Sequence, residues 1–215
     1  PIPPFVILRV DVDYREAHAV RMAHIAAAHQ LRGSFYFRCH RGDFPLETIR
    51  QIAALGHEVG YHFETLDICR GDFDAASDLF LQHVELLRQA GFEVHTAAAH
   101  GSQPTAPGYR ANLDLPRQRP ELLKRAHLLG ETTLSVDFGR VVYVSDAGWR
   151  WQRYEHFHVE QGKPASLRSV RSRFRQRSAG LYINFHPQHW FVRPSSMLYF
   201  RLRHRIGRRF RRPKV

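Results

Sequence analysis

The chain has 215 residues, 43% of them hydrophobic, which is enough for one full core and suits one domain better than two. No stretch approaches the roughly 18 apolar residues a spanning helix needs, and Pro1-Ile2-Pro3-Pro4-Phe5 has no signal-peptide pattern. Two cysteines, Cys39 and Cys69, make no disulfide framework, so a reducing, cytoplasmic setting is expected; the net charge of +12 is uneven, with eight Lys and Arg and no acid in 201–215 leaving +4 elsewhere.

Phe5 to Val10 is a short apolar run, rich in β-branched residues and preceded by prolines, and predicts a buried strand. Glu16 to Gln30 has helical spacing, Gly33 to Arg38 predicts a second strand, Leu46 to Leu55 a helix and His57 to His62 a third strand. Asp72 to Ala90 predicts a long helix with Phe80, Val84 and Leu87 on one side and Gly91 as its stop. Val94 to Ala99 is the fourth strand. Pro104 to Pro120 reads as a long loop and a candidate substrate-facing flap, and Glu121 to Leu129 as a helix. Strands are predicted near Thr133 to Val136, Val141 to Val144 and Leu181 to Phe185, with a basic helix over 166–177 before the last. Such alternation predicts an α/β fold on a parallel sheet, which we expect to curl into a distorted (β/α) barrel over 1–195, followed by a basic tail over 196–215.

Chemistry-bearing residues follow the predicted strands: Asp11 and Asp13, Cys39 and His40, His62 and Glu64, His100, Asp146, and His186. Parallel α/β folds gather their sites at this rim, because the loops of one face converge there. Any one of these residues has a plainer use, Asp13 as a helix cap, Asp146 as a turn residue, or a histidine among 15 as a satisfied structural group. Two carboxylates two residues apart can divide their work, one binding a cation while the other takes a proton. His62 adds a nitrogen donor, and zinc and its relatives accept such mixed sets with positions left open.

Taken in order, five segments resemble the polysaccharide deacetylases of the chitooligosaccharide deacetylase type, across Phe5 to Trp190. They are Val10-Asp11-Val12-Asp13, Gly56-His57-Glu58-Val59-Gly60-Tyr61-His62, Ala99-His100-Gly101-Ser102, Ser145-Asp146-Ala147-Gly148-Trp149-Arg150-Trp151 and Ile183-Asn184-Phe185-His186-Pro187. The resemblance implies metal-dependent removal of an acetyl group from a carbohydrate or envelope glycolipid. By it, Asp13 and His62 hold a divalent metal, expected to be zinc; Asp11 is the base; His186 is the general acid, oriented by Asp146. Trp149 and Trp151 would shape the acetyl or sugar pocket, with Glu64 and Ile183 also on the substrate side.

Two departures stand out. The family's second metal His lies four residues after the first, where this chain has Leu66; Glu64, Asp67 or His100 could replace it, and we expect His100 because it ends an adjacent strand. The Arg that pairs with the base in the third motif is replaced by Ala97 to Ala99, which opens either a raised pKa for Asp11, suited to a base, or lost activity. A metal-independent amide hydrolase and a non-catalytic carbohydrate- or lipid-binding relative are therefore the competing readings.

Cys39 with His40 could be a thiol nucleophile and base, although neighbours on a strand point to opposite faces, and His186 with His189 could share a metal. In the tail, Arg residues alternate with Met197, Leu198, Tyr199, Phe200, Leu202, Ile206 and Phe210, which predicts contact with an anionic membrane surface at the inner face; a solvated charge run is the alternative. No nucleic-acid-binding motif is present, so nucleic acid is not an expected partner.

Overall fold

A computed structural model of the protein describes residues 5–101, 110–147, 151–154, 163–164, 166, 168, 171–172 and 180–190. The predicted tail, Trp149 and eight of the twelve residues of the basic helix over 166–177 lie outside these residues. Strand and helix alternate as β1 (Val6–Val12), α1 (Glu16–Ala28), β2 (Ser34–Phe37), α2 (Leu46–Ala54) and β3 (Glu58–Phe63). They continue as α3 (Thr65–Ile68), α4 (Phe73–Gln89), β4 (Val94–Ala99), α5 (Asp114–Gln118), α6 (Glu121–Arg125) and β5 (Gly130–Glu131). The rest are β6 (Val141–Ser145), β7 (Gln152–Tyr154), β8 (Lys163–Pro164), β9 (Gly180–Phe185) and a 3-10 turn, Pro187–His189.

The strands form one sheet in the order β5-β4-β3-β2-β1-β9-β6-β7-β8. From β5 to β6 every pair is parallel, while β7 and β8 are antiparallel additions at one edge. The parallel part curls into a distorted (β/α) barrel. The segment after β5 is tied to β9, where the Tyr182 hydroxyl donates to the Thr132 carbonyl at 3.3 Å.

Period-two alternation divides each strand between two cores. Val10 and Val12, Phe35 and Phe37, and Val59, Tyr61 and Phe63 face outward and pack with Ala19, Ala23, Ile49, Ile52, Phe80 and Leu87 of the helices. Arg9, Tyr36, Tyr143 and Tyr182 lie on the other side, with Arg9 5.7 Å from the Tyr36 ring centre. Gly60 permits this crowding, because a Cβ there would stand 2.3 Å from the Tyr36 ring. On the N-terminal side of Arg9 a cavity of about 270 Å³ remains between Glu58, Thr96, Glu131 and Tyr182.

Helix α4 starts where Asp72 accepts hydrogen bonds from the amides of Asp74 and Ala75, both at 3.0 Å, and stops before Gly91, whose φ of +90° suits glycine. The strand expected over Thr133 to Val136 is a turn instead. The Glu131 carboxylate accepts from the amides of Thr133 and Leu134 at 2.7 and 2.9 Å, withdrawing them from any strand ladder. The helix expected to run to Leu129 ends at Arg125, where the Arg88 guanidinium bonds the Ala126 carbonyl at 2.7 Å. Part of the expected long loop is α5, while 104–109 lie outside the described residues. Two features were not anticipated, the short α3 directly after β3 and the β7–β8 edge. Among the described residues no helix is long and apolar enough to cross a membrane.

Candidate metal and acid-base site

Alternation along β1 puts Arg9 and Asp11 on its inner side, and Asp13 follows at the C-terminal rim. Arg9 grips Asp11 with both arms of its fork, Nε to Oδ1 at 2.7 Å and Nη2 to Oδ2 at 2.8 Å. Asn184, on the adjacent β9, donates Nδ2 to Asp11 Oδ2 at 3.1 Å. Burial would raise the Asp11 pKa, but Arg9, followed by His62 and His186, outweighs it and holds the carboxyl below its ordinary value. Of the two consequences weighed for the missing Arg, a raised pKa for Asp11 is overturned: the positive partner comes from β1 itself.

Three donor atoms converge at the rim. His62 lies near the end of β3, and its Nδ1 donates to the Ala98 carbonyl at 2.9 Å, which leaves Nε2 as the ring atom turned towards Asp13. His62 Nε2 lies 3.2 Å from Asp13 Oδ1, and His100 Nε2 lies 3.5 Å from the same oxygen. His100 is fixed just beyond β4 by its amide, which donates to the Phe63 carbonyl at 2.8 Å. The three ligand atoms lie within 4.8 Å of one another. Asp13 Oδ1 is buried and has no hydrogen-bond partner among the described residues, while Oδ2 accepts from Gln188 Nε2 at 2.6 Å.

This set fits a divalent cation, because one carboxylate oxygen and two imidazole nitrogens converge within 4.8 Å of one another, a mixed donor set that zinc and its relatives accept. Burial opposes ionisation of Asp13, but His62, His100 and His186 hold its carboxyl well below the usual range. Burial, with His62 and Arg38 nearby, pulls His100 down to about 4, so its imidazole is neutral and able to bind metal at neutral pH.

The other candidates for the third donor are engaged elsewhere. Glu64 is paired with Arg38, Oε1 to Nε at 3.1 Å and Oε2 to Nη2 at 2.5 Å, and stands 3.6 Å behind His100 Nδ1. Asp67 Oδ2 accepts from Asn112 at 3.0 Å, and Leu66 is 1% exposed within the outer core. In the second motif His57 is structural, bonded through Nε2 to the Ala23 carbonyl at 2.9 Å and through Nδ1 to the Gly33 amide at 3.1 Å.

Across Asp11 lies a second cluster. His186 Nδ1 and Asp146 Oδ1 are 2.6 Å apart, and Asp146 Oδ2 accepts from the His186 amide at 3.2 Å and from Trp190 Nε1 at 2.8 Å. Burial would lower the His186 pKa, but its hydrogen bond to Asp146 and the carboxylates of Asp11 and Asp13 raise it. Asp146 is pulled to about 2, its burial outweighed by His186 and His189. His186 Nε2 points to within 3.7 Å of Asp11 Oδ2. His189 Nδ1 stands 3.6 Å from Asp146 Oδ1, so Asp146, His186 and His189 also form a possible donor set. The short His186–Asp146 bond accounts for that geometry without an ion.

Trp151 packs edge-on to Phe185 and Trp190 at 5.5 and 5.8 Å, an aromatic wall beside Asp146. Ile183 alternates to the face of β9 opposite Tyr182 and Asn184, away from Asp11. Cys39 is 3% exposed and burial pushes its thiol up to about 11, which removes the thiolate a nucleophile needs. Four contributors were not foreseen: Arg9, Asn184, Gln188 and Trp190. Arg9 alone had a local signal, since residues i and i+2 of a strand share a face.

No protein-family model matches the chain, and no curated protein matches it. Solved structures do. A CE4 family pseudoenzyme from Bacillus anthracis aligns at 15% identity and a TM-score of 0.54, over 95% of this chain and 62% of that one. A Mycobacterium smegmatis protein provisionally described as a polysaccharide deacetylase aligns at 18% and 0.57, over 94% and 83%. The catalytic domain of a peptidoglycan N-acetylglucosamine deacetylase from Eubacterium rectale aligns at 14% and 0.50, over 96% and 87%. This chain thus spans under two thirds of the pseudoenzyme. At such identities the likeness is one of fold, and the fold is the deacetylase barrel.

Proposed function

We propose that the protein is a metal-dependent hydrolase that removes an acyl group, acetyl as the simplest case, from a carbohydrate or envelope glycolipid. One observation carries this reading: ligand atoms of Asp13, His62 and His100 converge within 4.8 Å of one another, while the Asp146–His186 pair faces them across Asp11. When bound, a cation such as zinc supplies Lewis-acid polarisation of the acyl carbonyl and the attacking water. Asp13, His62 and His100 hold it; Asp11, kept ionised by Arg9, accepts the water's proton. His186, charged through Asp146, delivers a proton to the leaving amine or alkoxide. Trp151 lines the acyl or sugar pocket, and Glu64, held by Arg38, stands behind His100. The basic tail over 196–215 would hold this hydrolase at the anionic inner face of the membrane.

The decisive experiment is hydrolysis of an N-acetylated oligosaccharide by zinc-supplemented protein, compared with Asp13→Ala and His186→Ala. Zinc-dependent turnover abolished by the first and lowered about 10²- to 10⁴-fold by the second is expected. Turnover indifferent to a strong chelator would favour a metal-independent amide hydrolase. A non-catalytic carbohydrate-binding role has one specific observation behind it, that Arg9 and Asn184 engage both oxygens of Asp11. It predicts oligosaccharide binding with no turnover at any metal concentration.

A further inference from the structure

Gln188 is 3% exposed and Asn184 4% exposed, yet neither side-chain oxygen has a hydrogen-bond partner among the described residues. Leaving such an acceptor buried and unpaired costs about 1–3 kcal/mol, so these amides are placed for their N–H groups. Both N–H groups point at the same motif: Asn184 Nδ2 donates to Asp11 Oδ2 at 3.1 Å, Gln188 Nε2 to Asp13 Oδ2 at 2.6 Å. The two amides are four residues apart, on β9 and on the turn that follows it. The turn is itself anchored to α1, where His18 Nδ1 lies 3.3 Å from the Pro187 carbonyl.

From this juxtaposition we infer that Asn184 and Gln188 are a matched pair of positioning residues, Gln188 for the metal ligand Asp13 and Asn184 for the base Asp11. The inference rests on the metal reading proposed above. By occupying Oδ2, Gln188 leaves Asp13 only Oδ1 to present, and it is Oδ1 that faces His62 and His100 at 3.2 and 3.5 Å. A neutral donor does this without adding charge to the cation site, whereas Lys or Arg there would repel the ion. Asn184 steadies Asp11 on the side facing His186, and its contact with the metal donors runs only through Asp11.

The test is zinc affinity of the full chain by competition with a chromophoric chelator, for wild type, Gln188→Met and Asn184→Leu, with melting curves as a check on folding. Gln188→Met should weaken zinc binding about 10- to 100-fold, as loss of a ligand's hydrogen-bonded support does elsewhere. Asn184→Leu should leave affinity unchanged while lowering kcat with KM preserved. Unaltered affinity in Gln188→Met overturns the inference alone; equal losses in both variants overturn the division of labour. A wild type that takes up no zinc overturns the metal reading and this inference with it. Should Gln188→Met not fold, a zinc-soaked crystal of wild type decides: Asp13 must bind through Oδ1 with Gln188 still on Oδ2, and bidentate binding with Gln188 displaced refutes the assignment.

Discussion

Replacing Arg9 by Met removes the only cation within hydrogen-bond reach of Asp11 among the described residues and leaves a carboxylate 2% exposed to water. Met keeps most of the volume of the arginine stem, so the main loss is charge compensation and two hydrogen bonds at 2.7 and 2.8 Å. Breaking a buried pair from one side costs about 3–5 kcal/mol, because the remaining charge is stranded. For a chain of this size that lowers the melting temperature by about 6–20 °C. Asn at position 11 removes the charge yet keeps an oxygen for Asn184, so Arg9→Met with Asp11→Asn should recover much of the loss. Urea denaturation of the four proteins of this cycle, without added metal at pH 7, measures the coupling. A coupling below about 0.5 kcal/mol, the scatter expected of independent sites, would refute the argument that Arg9 serves Asp11.

Leu66→His should not add a metal ligand, since Leu66 packs in the outer core; loss of apolar packing should lower stability by about 2–4 kcal/mol in urea denaturation, with zinc affinity no higher than wild type. Asp146→Asn removes the charge that helps raise the His186 pKa, and a general acid works only while protonated; the alkaline limb of the pH–rate profile should therefore move to lower pH. His83 shares a 2.6 Å hydrogen bond with Tyr61, and burial lowers its pKa despite the opposing influence of Glu64. The unfolded chain thus binds the proton more readily, so this contribution to stability is full above the ordinary histidine value of about 6.5 and is lost as pH falls below it. Denaturation midpoints of His83→Gln should show a shallower fall than wild type between pH 7 and 5.

The aromatic wall shows how far a motif can be read. Trp151 of the fourth motif packs against Trp190, from beyond the fifth motif, whose indole N–H donates to Asp146. Ile183 fell within a matching segment and still alternates to the other face, because resemblance gives position along a strand while the pleat decides direction. The turn at Thr133 to Val136 had strand-like residues; a carboxylate two residues upstream captured its amides.

What the sequence determined by itself is what depends on neighbours along the chain. Alternation and helical spacing defined most of the elements, their βαβ order set a parallel barrel, and strand ends put Asp11, Asp13, His62, His100, Asp146 and His186 on one rim. Tertiary structure alone decided which atoms meet. It set His100 beside His62 because β4 lies next to β3, and Gln188 on Asp13 because β9 pairs with β1, 175 residues apart in sequence. Such contacts arise from sheet order and register, which no local pattern encodes. The partner of Asp11 lies between these cases: Arg9 was two residues away on the same strand face throughout, but only the fold placed both in one buried space, where their charges had to pair.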